Sequence, residues 1–260
     1  MRPLKLFAAL LLAMGLGLSS SAGAADPPVA SLRVLFIGNS FTYFNDLPAM
    51  LEALAKAGGR PALSWKGVLI PGASLEDHWR SGEARRAIAR EKWDFVVLQQ
   101  GPSASPEGRS MLLGYADRFA REIRAAGGLP AIYMVWPPSS RTSDFDDVSQ
   151  SYRLAARQVD GLLLPVGEAW RAAWKRDAKL GLYSGDGLHP APIGSYLAAL
   201  VMYERLYGQS PVGLPGKVSL KEEAQPAVDL SDTQAKLLQE AAAEANRKYG
   251  SRPPQAGPRQ

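Results

Sequence analysis

Residues 33–42 read RVLFIGNSFT, and this stretch decides the fold of the chain. Arg33 is followed by four apolar residues and then by Gly38, a pattern typical of a buried β-strand that ends in a turn. Asn45 or Asp46 can cap the helix that follows. The apolar residues of this helix recur at helical spacing, at Leu47, Met50, Leu51 and Leu54.

Strands and helices alternate along the rest of the chain. Further strands are predicted at Leu63–Leu69, Phe95–Leu98, Ala131–Val135 and Leu162–Leu164. Helices are predicted over Arg80–Glu91, through Met111 to Ile123, over Asp146–Val159 and Ala191–Tyr207, and after the capping-box pair Ser231 and Gln234. This alternation predicts a doubly wound, three-layer α/β/α domain with a central parallel sheet. Ligands bind such sheets beyond the carboxyl ends of the strands.

The composition excludes several classes of protein. The chain has 260 residues, of which 46% are hydrophobic and 21% charged, so it is neither disordered throughout nor a polytopic membrane protein. The net charge of +5 is small and spread out, which argues against a nucleic-acid partner. There is no cysteine and there are only two histidines, so we expect no metal site and no cofactor.

The first 25 residues have the layout of a secretory signal peptide. Arg2 and Lys5 precede a short apolar run, and small residues follow it up to Ala24. The run is too short for a permanent span, so we expect export to the periplasm or the medium and no stable membrane anchor after cleavage. Residues 26–250 are then the folded domain, and residues 251–260 are predicted to be a disordered tail.

Polar residues follow three of the predicted strands. Ser40 follows the first strand, Gly72 the second, and the pair Gln99 and Gln100 ends the third. Each segment taken alone is also what an ordinary turn contains. Glycine lets a backbone N–H approach a ligand closely, and a buried glutamine amide requires a partner.

A late pair supplies the groups that a serine nucleophile requires. Asp186 stands three residues before His189, so its carboxylate can accept a hydrogen bond from the ring Nδ1–H and leave Nε2 to accept the serine proton. The same residues are also consistent with a helix start. Ser40, His189 and Asp186 together form a candidate nucleophile, base and orienting acid.

These segments resemble the SGNH (GDSL-like) hydrolase family in their order and across nearly the whole mature chain. The corresponding segments are IGNSFT, GAS, LQQGPS and DGLH. The resemblance implies a flavodoxin-like three-layer fold and metal-independent ester hydrolysis through an acyl-enzyme. It also implies that Ser40 is the nucleophile, His189 the base and Asp186 its orienting acid, with Gly72 and the Ser40 backbone in the oxyanion hole.

Two departures from the family pattern affect the site. The usual GDS is GNS here, so Asn39 replaces an aspartate that is not the triad acid. The usual GxND is absent, and a glutamine takes the place of its amide residue. We favour Gln99 over Gln100 for the oxyanion hole, and both remain open.

Three further residues are candidates for substrate contact: Asn39, His78 and Trp136. His78 either contacts substrate at the rim of the crevice or, as we favour, is a helix residue that packs on Trp79 or is satisfied by Asp77 or Glu76. Trp136, with two prolines after it, forms either a pocket wall or ordinary packing at a strand end.

The sequence therefore predicts an exported serine esterase, with an O-acetyl group on a carbohydrate as the first candidate substrate. The alternatives are a non-catalytic glycan-binding or envelope-assembly protein on the same fold, and an O-acyltransferase that uses the same triad. The expected partner is a small-molecule or glycan ester. The sequence does not determine the oligomeric state.

Overall fold

A computed structural model describes residues 31–221 and 225–250. The predicted signal peptide over residues 1–25 and the predicted tail over residues 251–260 lie outside the described residues, so both stay predictions. Within the two described ranges, no helix combines the length and the apolar character that crossing a membrane requires.

A sheet of five parallel strands forms the centre of the fold. Its order is β2-β1-β3-β4-β5. The strands are β1 (Leu32–Gly38), β2 (Leu63–Leu69), β3 (Phe95–Leu98), β4 (Leu129–Tyr133) and β5 (Leu162–Leu164). The chain runs from β1 to one neighbour and then crosses to the other, so the order reverses between β1 and β3. Ligand sites of doubly wound sheets lie at this switch point.

Helices cover the sheet in two groups, and the helices of each group contact one another. The first group consists of α2 (Leu47–Ala57), α7 (Val166–Arg176), α8 (Pro192–Tyr207) and α9 (Asp232–Tyr249). The second consists of α3 (Leu75–Ser81), α4 (Glu83–Arg90), α5 (Pro106–Ala125) and α6 (Phe145–Gln158). Shorter elements are α1 (Ser40–Tyr43), 3₁₀ turns over Phe44–Asp46 and Ser139–Asp144, and a small antiparallel ribbon of β6 (Lys217–Val218) and β7 (Val228–Asp229).

The predicted α/β/α fold class is confirmed, and most element positions agree with the sequence. The strands at Leu63–Leu69, Phe95–Leu98 and Leu162–Leu164 have the predicted bounds. The side chains of β1 from Val34 to Ile37 are fully buried, as expected of a central strand covered on both faces. The capping box of Ser231 and Gln234 is present at the start of α9.

Several elements differ from the prediction. The charged helix predicted over Arg80–Glu91 is two helices, because Gly82 adopts a left-handed φ of 72° between α3 and α4. β4 begins and ends two residues earlier than Ala131–Val135. Neither Asn45 nor Asp46 caps α2 through its side chain.

Helix α7 was not predicted from the sequence. Seven of its eleven residues are buried, and the partly or fully exposed ones, Arg171, Trp174, Lys175 and Arg176, lie in its second half. A Cβ at Gly167 would meet the carbonyl oxygen of Val135 at 2.4 Å, so the helix starts in direct backbone contact with the chain beyond β4. Trp170 of this helix stacks on Trp136, with ring centroids 3.7 Å apart.

Candidate active site

The predicted nucleophile lies directly beyond the central strand. β1 ends at Gly38, and Asn39 caps the short helix α1 by accepting a hydrogen bond from the Phe41 N–H at 3.1 Å. Ser40 is therefore the first residue of α1, where a backbone N–H has no partner within the helix. Only 9% of Ser40 is exposed, so its hydroxyl is largely shielded from solvent.

The predicted base reaches this hydroxyl from the loop between α7 and α8. Nε2 of His189 lies 2.8 Å from Oγ of Ser40. The ring of Phe44 stacks on the imidazole, with centroids 4.0 Å apart and planes 6° apart. A serine and a histidine in this geometry can exchange a proton without rearrangement.

Asp186 holds the other side of the imidazole. Its Oδ2 lies 2.5 Å from Nδ1 of His189. Its Oδ1 accepts hydrogen bonds from the Ser184 hydroxyl at 2.6 Å and from the backbone N–H groups of Leu188 and His189, both at 2.9 Å. The His189 hydrogen bond, then that of Ser184 and those of the backbone, hold the pKa of the Asp186 carboxyl well below its ordinary value.

The charge on Asp186 fixes the tautomer of the base. A carboxylate accepts hydrogen bonds only, so Nδ1 carries the proton and Nε2 presents its lone pair to Ser40. The structure thus brings together the three residues that the sequence singled out as nucleophile, base and orienting acid.

Two backbone N–H groups are available for an oxyanion. Among the described residues, neither the N–H of Ser40 nor that of Gly72 donates a hydrogen bond to the protein. Gly72 lies in the turn after β2 with a φ of 67°, a conformation that favours glycine, and its surroundings leave the backbone accessible.

The two glutamines have different positions, and the amides of both are occupied. Gln99 is fully buried, and its Oε1 accepts from the Asn39 N–H at 2.8 Å and from the Thr42 hydroxyl at 2.9 Å. Its Nε2 donates to Oδ1 of Asn39 and to the Gln100 carbonyl, both at 2.9 Å. Gln99 therefore lies beneath the nucleophile turn, and none of its amide atoms is free to face an oxyanion.

Gln100 borders the pocket, although its amide is also engaged. Its Oε1 accepts from the Leu75 N–H at 3.2 Å, and its Nε2 donates to the Ser103 hydroxyl at 3.0 Å. Of the two glutamines, Gln100 is the one that lines the cavity next to Asn39 and Gly72.

Of the three candidates for substrate contact, only Asn39 borders the pocket. Its Nδ2 donates to the Ala73 carbonyl at 2.9 Å, which ties the nucleophile turn to the loop that carries Gly72. His78 is fully buried, and its Nε2–H donates to the Gly38 carbonyl at 2.9 Å. It therefore lies below the site, which agrees with the packing alternative, although its partner belongs to β1 and not to its own helix.

Trp136 supports the base loop from behind. It is fully buried, its Nε1–H donates to the Leu188 carbonyl at 3.0 Å, and its ring meets the edge of Phe41. A fully buried indole cannot form an exposed pocket wall, so its placement fits the packing alternative. Its hydrogen bond still affects the site, because Leu188 directly precedes the base.

Sequence reasoning missed four residues that shape the base loop: Phe44, Asn45, Tyr183 and Ser184. Tyr183 donates its hydroxyl to the Pro137 carbonyl at 2.6 Å, and Ser184 is the donor to Asp186. The position of Ser184, two residues before the acid, was a usable signal. Nothing in the sequence places Phe44 or Tyr183 near these partners, because the contacts join distant segments.

A cavity of about 320 Å³ opens beside the nucleophile turn. Its walls are mostly small or polar residues, among them Asn39, Gly72, Ser74, Ser103 and Ser105, and Arg141 reaches its edge. A larger groove of about 670 Å³ lies between α4 and α5, the helices that precede β3 and β4 along the chain. That groove is lined by none of the candidate site residues.

Comparison with solved structures finds the same architecture in several bacterial proteins. A protein from Slackia heliotrinireducens assigned to the SGNH hydrolases is 29% identical over 68% of this chain and 99% of its own length, with a TM-score of 0.56. A DUF4886 family protein from Bacteroides uniformis is 21% identical over 83% of this chain and 95% of its own, with a TM-score of 0.68.

A variant of Axe2, an acetyl-xylooligosaccharide esterase from Geobacillus Stearmophilus, is 16% identical over 69% of this chain and 96% of its own, with a TM-score of 0.54. No protein-family model matches the chain, and no curated protein does. The parallel sheet covered by helices and the likeness to these solved structures indicate the same fold. The chain therefore has the fold of the SGNH (GDSL-like) hydrolases, and the resemblance carried by its motifs is confirmed at that level.

Proposed function

We propose that the protein is a serine esterase that hydrolyses carboxylic esters through a covalent acyl-enzyme. The observation that carries this proposal is the chain of contacts from Oγ of Ser40 to Nε2 of His189, at 2.8 Å, and from Nδ1 to the Asp186 carboxylate, at 2.5 Å. A serine hydroxyl is a weak nucleophile unless a base takes its proton, and this base is oriented by a third group. The likeness to proteins named as SGNH hydrolases and esterases supports a hydrolase of this type.

Acylation begins when Oγ of Ser40 attacks the carbonyl carbon of the ester. His189 takes the hydroxyl proton on Nε2, and Asp186 stabilises the imidazolium that forms. The carbonyl oxygen becomes an oxyanion, which we expect to accept hydrogen bonds from the N–H groups of Ser40 and Gly72. Each such donor typically contributes about 3–4 kcal/mol of transition-state stabilisation. The ester C–O bond then breaks, and His189 returns the proton to the departing alcohol.

Deacylation repeats these steps with water as the nucleophile. His189 takes a proton from water, the hydroxide adds to the acyl carbon, and the bond to Oγ of Ser40 breaks. The proton returns to Oγ, and the carboxylic acid leaves. No step calls for a metal or an organic cofactor, so we expect chelators to have no effect.

Short acyl groups on carbohydrate hydroxyls are the proposed substrates. The cavity beside Asn39 is about 320 Å³, and eight of its thirteen lining residues are serines, glycines or amides, which do not form a long apolar channel. Serine hydroxyls and small residues suit a sugar, which presents many hydrogen-bonding groups. Axe2 and AlAXEase, both named as esterases of acetylated xylan or its oligosaccharides, share the fold and support this substrate class.

Export to the periplasm or the medium is also part of the proposal. It rests on the signal-peptide pattern of residues 1–25. Determining the N-terminal sequence of the protein recovered outside the cytoplasm tests it. A full-length chain confined to the cytoplasm would contradict it.

The deciding experiment compares wild type with Ser40→Ala on short p-nitrophenyl esters and on acetylated oligosaccharides, with acetate release as the readout. Wild type is expected to be active with or without EDTA, and the variant to lose the activity. Ser210→Ala, an exposed serine far from the cavity along the chain, is the matched control and should keep it. Adding an acceptor sugar shows whether water or a sugar receives the acyl group.

A fluorophosphonate probe gives a readout that does not depend on the substrate. It should label wild type and not Ser40→Ala. A folded wild type that neither hydrolyses any ester nor reacts with the probe would refute the esterase. The same would follow from a Ser40→Ala variant as active as wild type.

A further inference from the structure

The turn that follows the nucleophile helix has an unusual backbone. Asn45 has φ 53° and ψ 26°, and Asp46 has φ 46° and ψ 54°. Two consecutive non-glycine residues in the left-handed region are uncommon, because each brings its Cβ close to backbone oxygen atoms. Such conformations persist only where the surrounding structure fixes them, and they concentrate at functional sites.

This turn places an aromatic ring flat on the candidate base. Phe44, just before the left-handed pair, stacks on His189 with centroids 4.0 Å apart and planes 6° apart. A second aromatic residue, Phe41, lies 6.1 Å from the imidazole at a tilt of 40°. The face of the imidazole is thus fixed by Phe44, while its edge is fixed by Asp186.

The same turn holds the segment that carries the base. Nδ2 of Asn45 donates to the carbonyl oxygen of Pro190 at 2.9 Å and to the hydroxyl of Ser195 at 2.9 Å. An amide nitrogen has two protons, so both are used. Pro190 directly follows His189, and Ser195 is a buried residue of α8.

We propose that Phe44 and Asn45 are positioning residues that hold His189 in line with Ser40 for proton transfer. The ring fixes the plane of the imidazole, and the Asn45 amide fixes the backbone beside it. Ser40, Phe44 and Asn45 lie within six residues of one another, whereas Ser40 and His189 are 149 residues apart. This short turn follows the nucleophile and contacts the base. It therefore sets the distance between Oγ of Ser40 and Nε2 of His189. This inference rests on the proposed role of His189 as base.

Phe44→Leu removes the stacking face and keeps an apolar side chain. We expect kcat to fall about 10- to 100-fold while KM changes less than about twofold, because a small misplacement of a reacting group has effects of this size. Phe44→Tyr keeps the ring and should restore kcat to near the wild-type value. A large rise in KM with kcat unchanged would overturn the proposal and indicate a substrate contact instead.

Asn45→Asp tests the two hydrogen bonds of Asn45 without changing the backbone conformation of the turn. Aspartate also tolerates the left-handed region but has no protons to donate to Pro190 and Ser195. We expect a similar fall in kcat at unchanged KM. Asp46→Asn is the matched control, since asparagine tolerates the same left-handed φ and the Asp46 side chain makes no capping hydrogen bond. It should keep wild-type kcat. Equal activity of Asn45→Asp and wild type would overturn the positioning role of Asn45.

Two readouts separate failure of this proposal from failure of the esterase. The rate at which a fluorophosphonate labels Ser40 should fall in Phe44→Leu and recover in Phe44→Tyr. In proton NMR, the ring protons of His189 should lie upfield in wild type through the ring current of Phe44, and should move downfield in Phe44→Leu. His78 is the only other histidine, so His189→Gln assigns the signals.

Each combination of results then has one meaning. Loss of activity in Ser40→Ala with unchanged kcat and labelling rate in Phe44→Leu refutes the positioning role alone. Full activity in Ser40→Ala refutes the esterase. Absence of the upfield shift in wild type refutes the stacking itself, whether or not any substrate has been found.

Discussion

Gln99 holds Asn39 by two hydrogen bonds, one to its backbone and one to its side chain. The Asn39 N–H donates to Oε1 of Gln99 at 2.8 Å, and Nε2 of Gln99 donates to Oδ1 of Asn39 at 2.9 Å. Because Asn39 directly precedes Ser40, the end of β3 fixes the turn that presents the nucleophile at the end of β1. A Cβ on Gly38 would meet Oε1 of Gln99 at 2.4 Å, so the glycine before this turn is required for the close approach.

Gln99→Met is expected to lower both stability and activity. Methionine has a similar length but leaves the buried N–H of Asn39 and hydroxyl of Thr42 without an acceptor, and each such group costs about 1–3 kcal/mol. The nucleophile turn loses its support as well, so we expect kcat to fall about 10- to 100-fold. Thermal melting and ester hydrolysis measure the two effects.

Gln209→Met, in an exposed loop, is the matched control and should leave both quantities unchanged. The two possible roles of Gln99 give different results. A fall in kcat with an unchanged melting temperature would support the oxyanion role predicted from the sequence, and would contradict the structural role derived from its contacts.

Asp186→Asn should reduce kcat by about 10⁴-fold, the size of the effect that the same change has in a trypsin-type triad. The amide would present a donor to Nδ1 and favour the tautomer that points a proton at Ser40 instead of a lone pair. Asp177→Asn, another exposed aspartate that accepts a backbone N–H, is the control. Steady-state kinetics and a circular-dichroism melt decide the outcome, and an active, folded Asp186→Asn would exclude the orienting role.

Asp186 is expected to stay charged in the folded protein down to a pH below 3.8. Its hydrogen bonds, first that of His189, lower its pKa below the ordinary 3.8, so the charged form persists above that pH and is lost only as pH falls through the lowered value. NMR of the Asp186 carboxyl carbon as a function of pH measures this. A carboxyl that takes up its proton at or above pH 3.8 would contradict it.

His78 should make the fold less stable in acid. Burial lowers the pKa of His78 below its ordinary 6.5, although its hydrogen bond to the Gly38 carbonyl offsets part of the effect. Below pH 6.5 the unfolded chain takes up a proton that the folded chain does not, so stability is full above this pH and declines as pH falls through the interval down to the lowered pKa. The slope is at most about 1.4 kcal/mol per pH unit.

His78→Gln tests this dependence, because glutamine can still donate to the Gly38 carbonyl but does not titrate. We expect urea unfolding of the variant to depend less on pH between 6.5 and 4.5 than that of wild type. Identical slopes for the two proteins would show that His78 is not the group responsible.

The strands and the candidate residues of the site could be predicted from the sequence because both have local signals. Buried parallel strands are short continuous apolar runs, and three of the five had the observed bounds. Ser40, Gly72, Asp186 and His189 were found because each lies at a strand end or in a short motif. Helix α7 was missed although its buried residues recur at helical spacing, at Val166, Ala169, Trp170 and Ala173, so a local signal was present.

The positions of the two glutamines could not be read in this way. Successive residues of a strand point to opposite faces, so the two glutamine side chains were expected on different faces of the sheet. Which one lies beneath Asn39 and which borders the cavity depends on the height at which β3 ends beside β1, set by the pairing of Ile37 with Leu98. That register is a property of the assembled sheet.

The sequence by itself determined the class of fold, the order of the motifs and the candidate residues of the site, because these follow from apolar periodicity and from the chemistry of individual side chains. Only the tertiary structure decided that Gln99 and His78 lie under the nucleophile turn, and that Phe44 and Asn45 contact the base and the residue beside it. These are contacts between segments separated by tens of residues or more. They arise when strands and helices pack, and no local pattern encodes them.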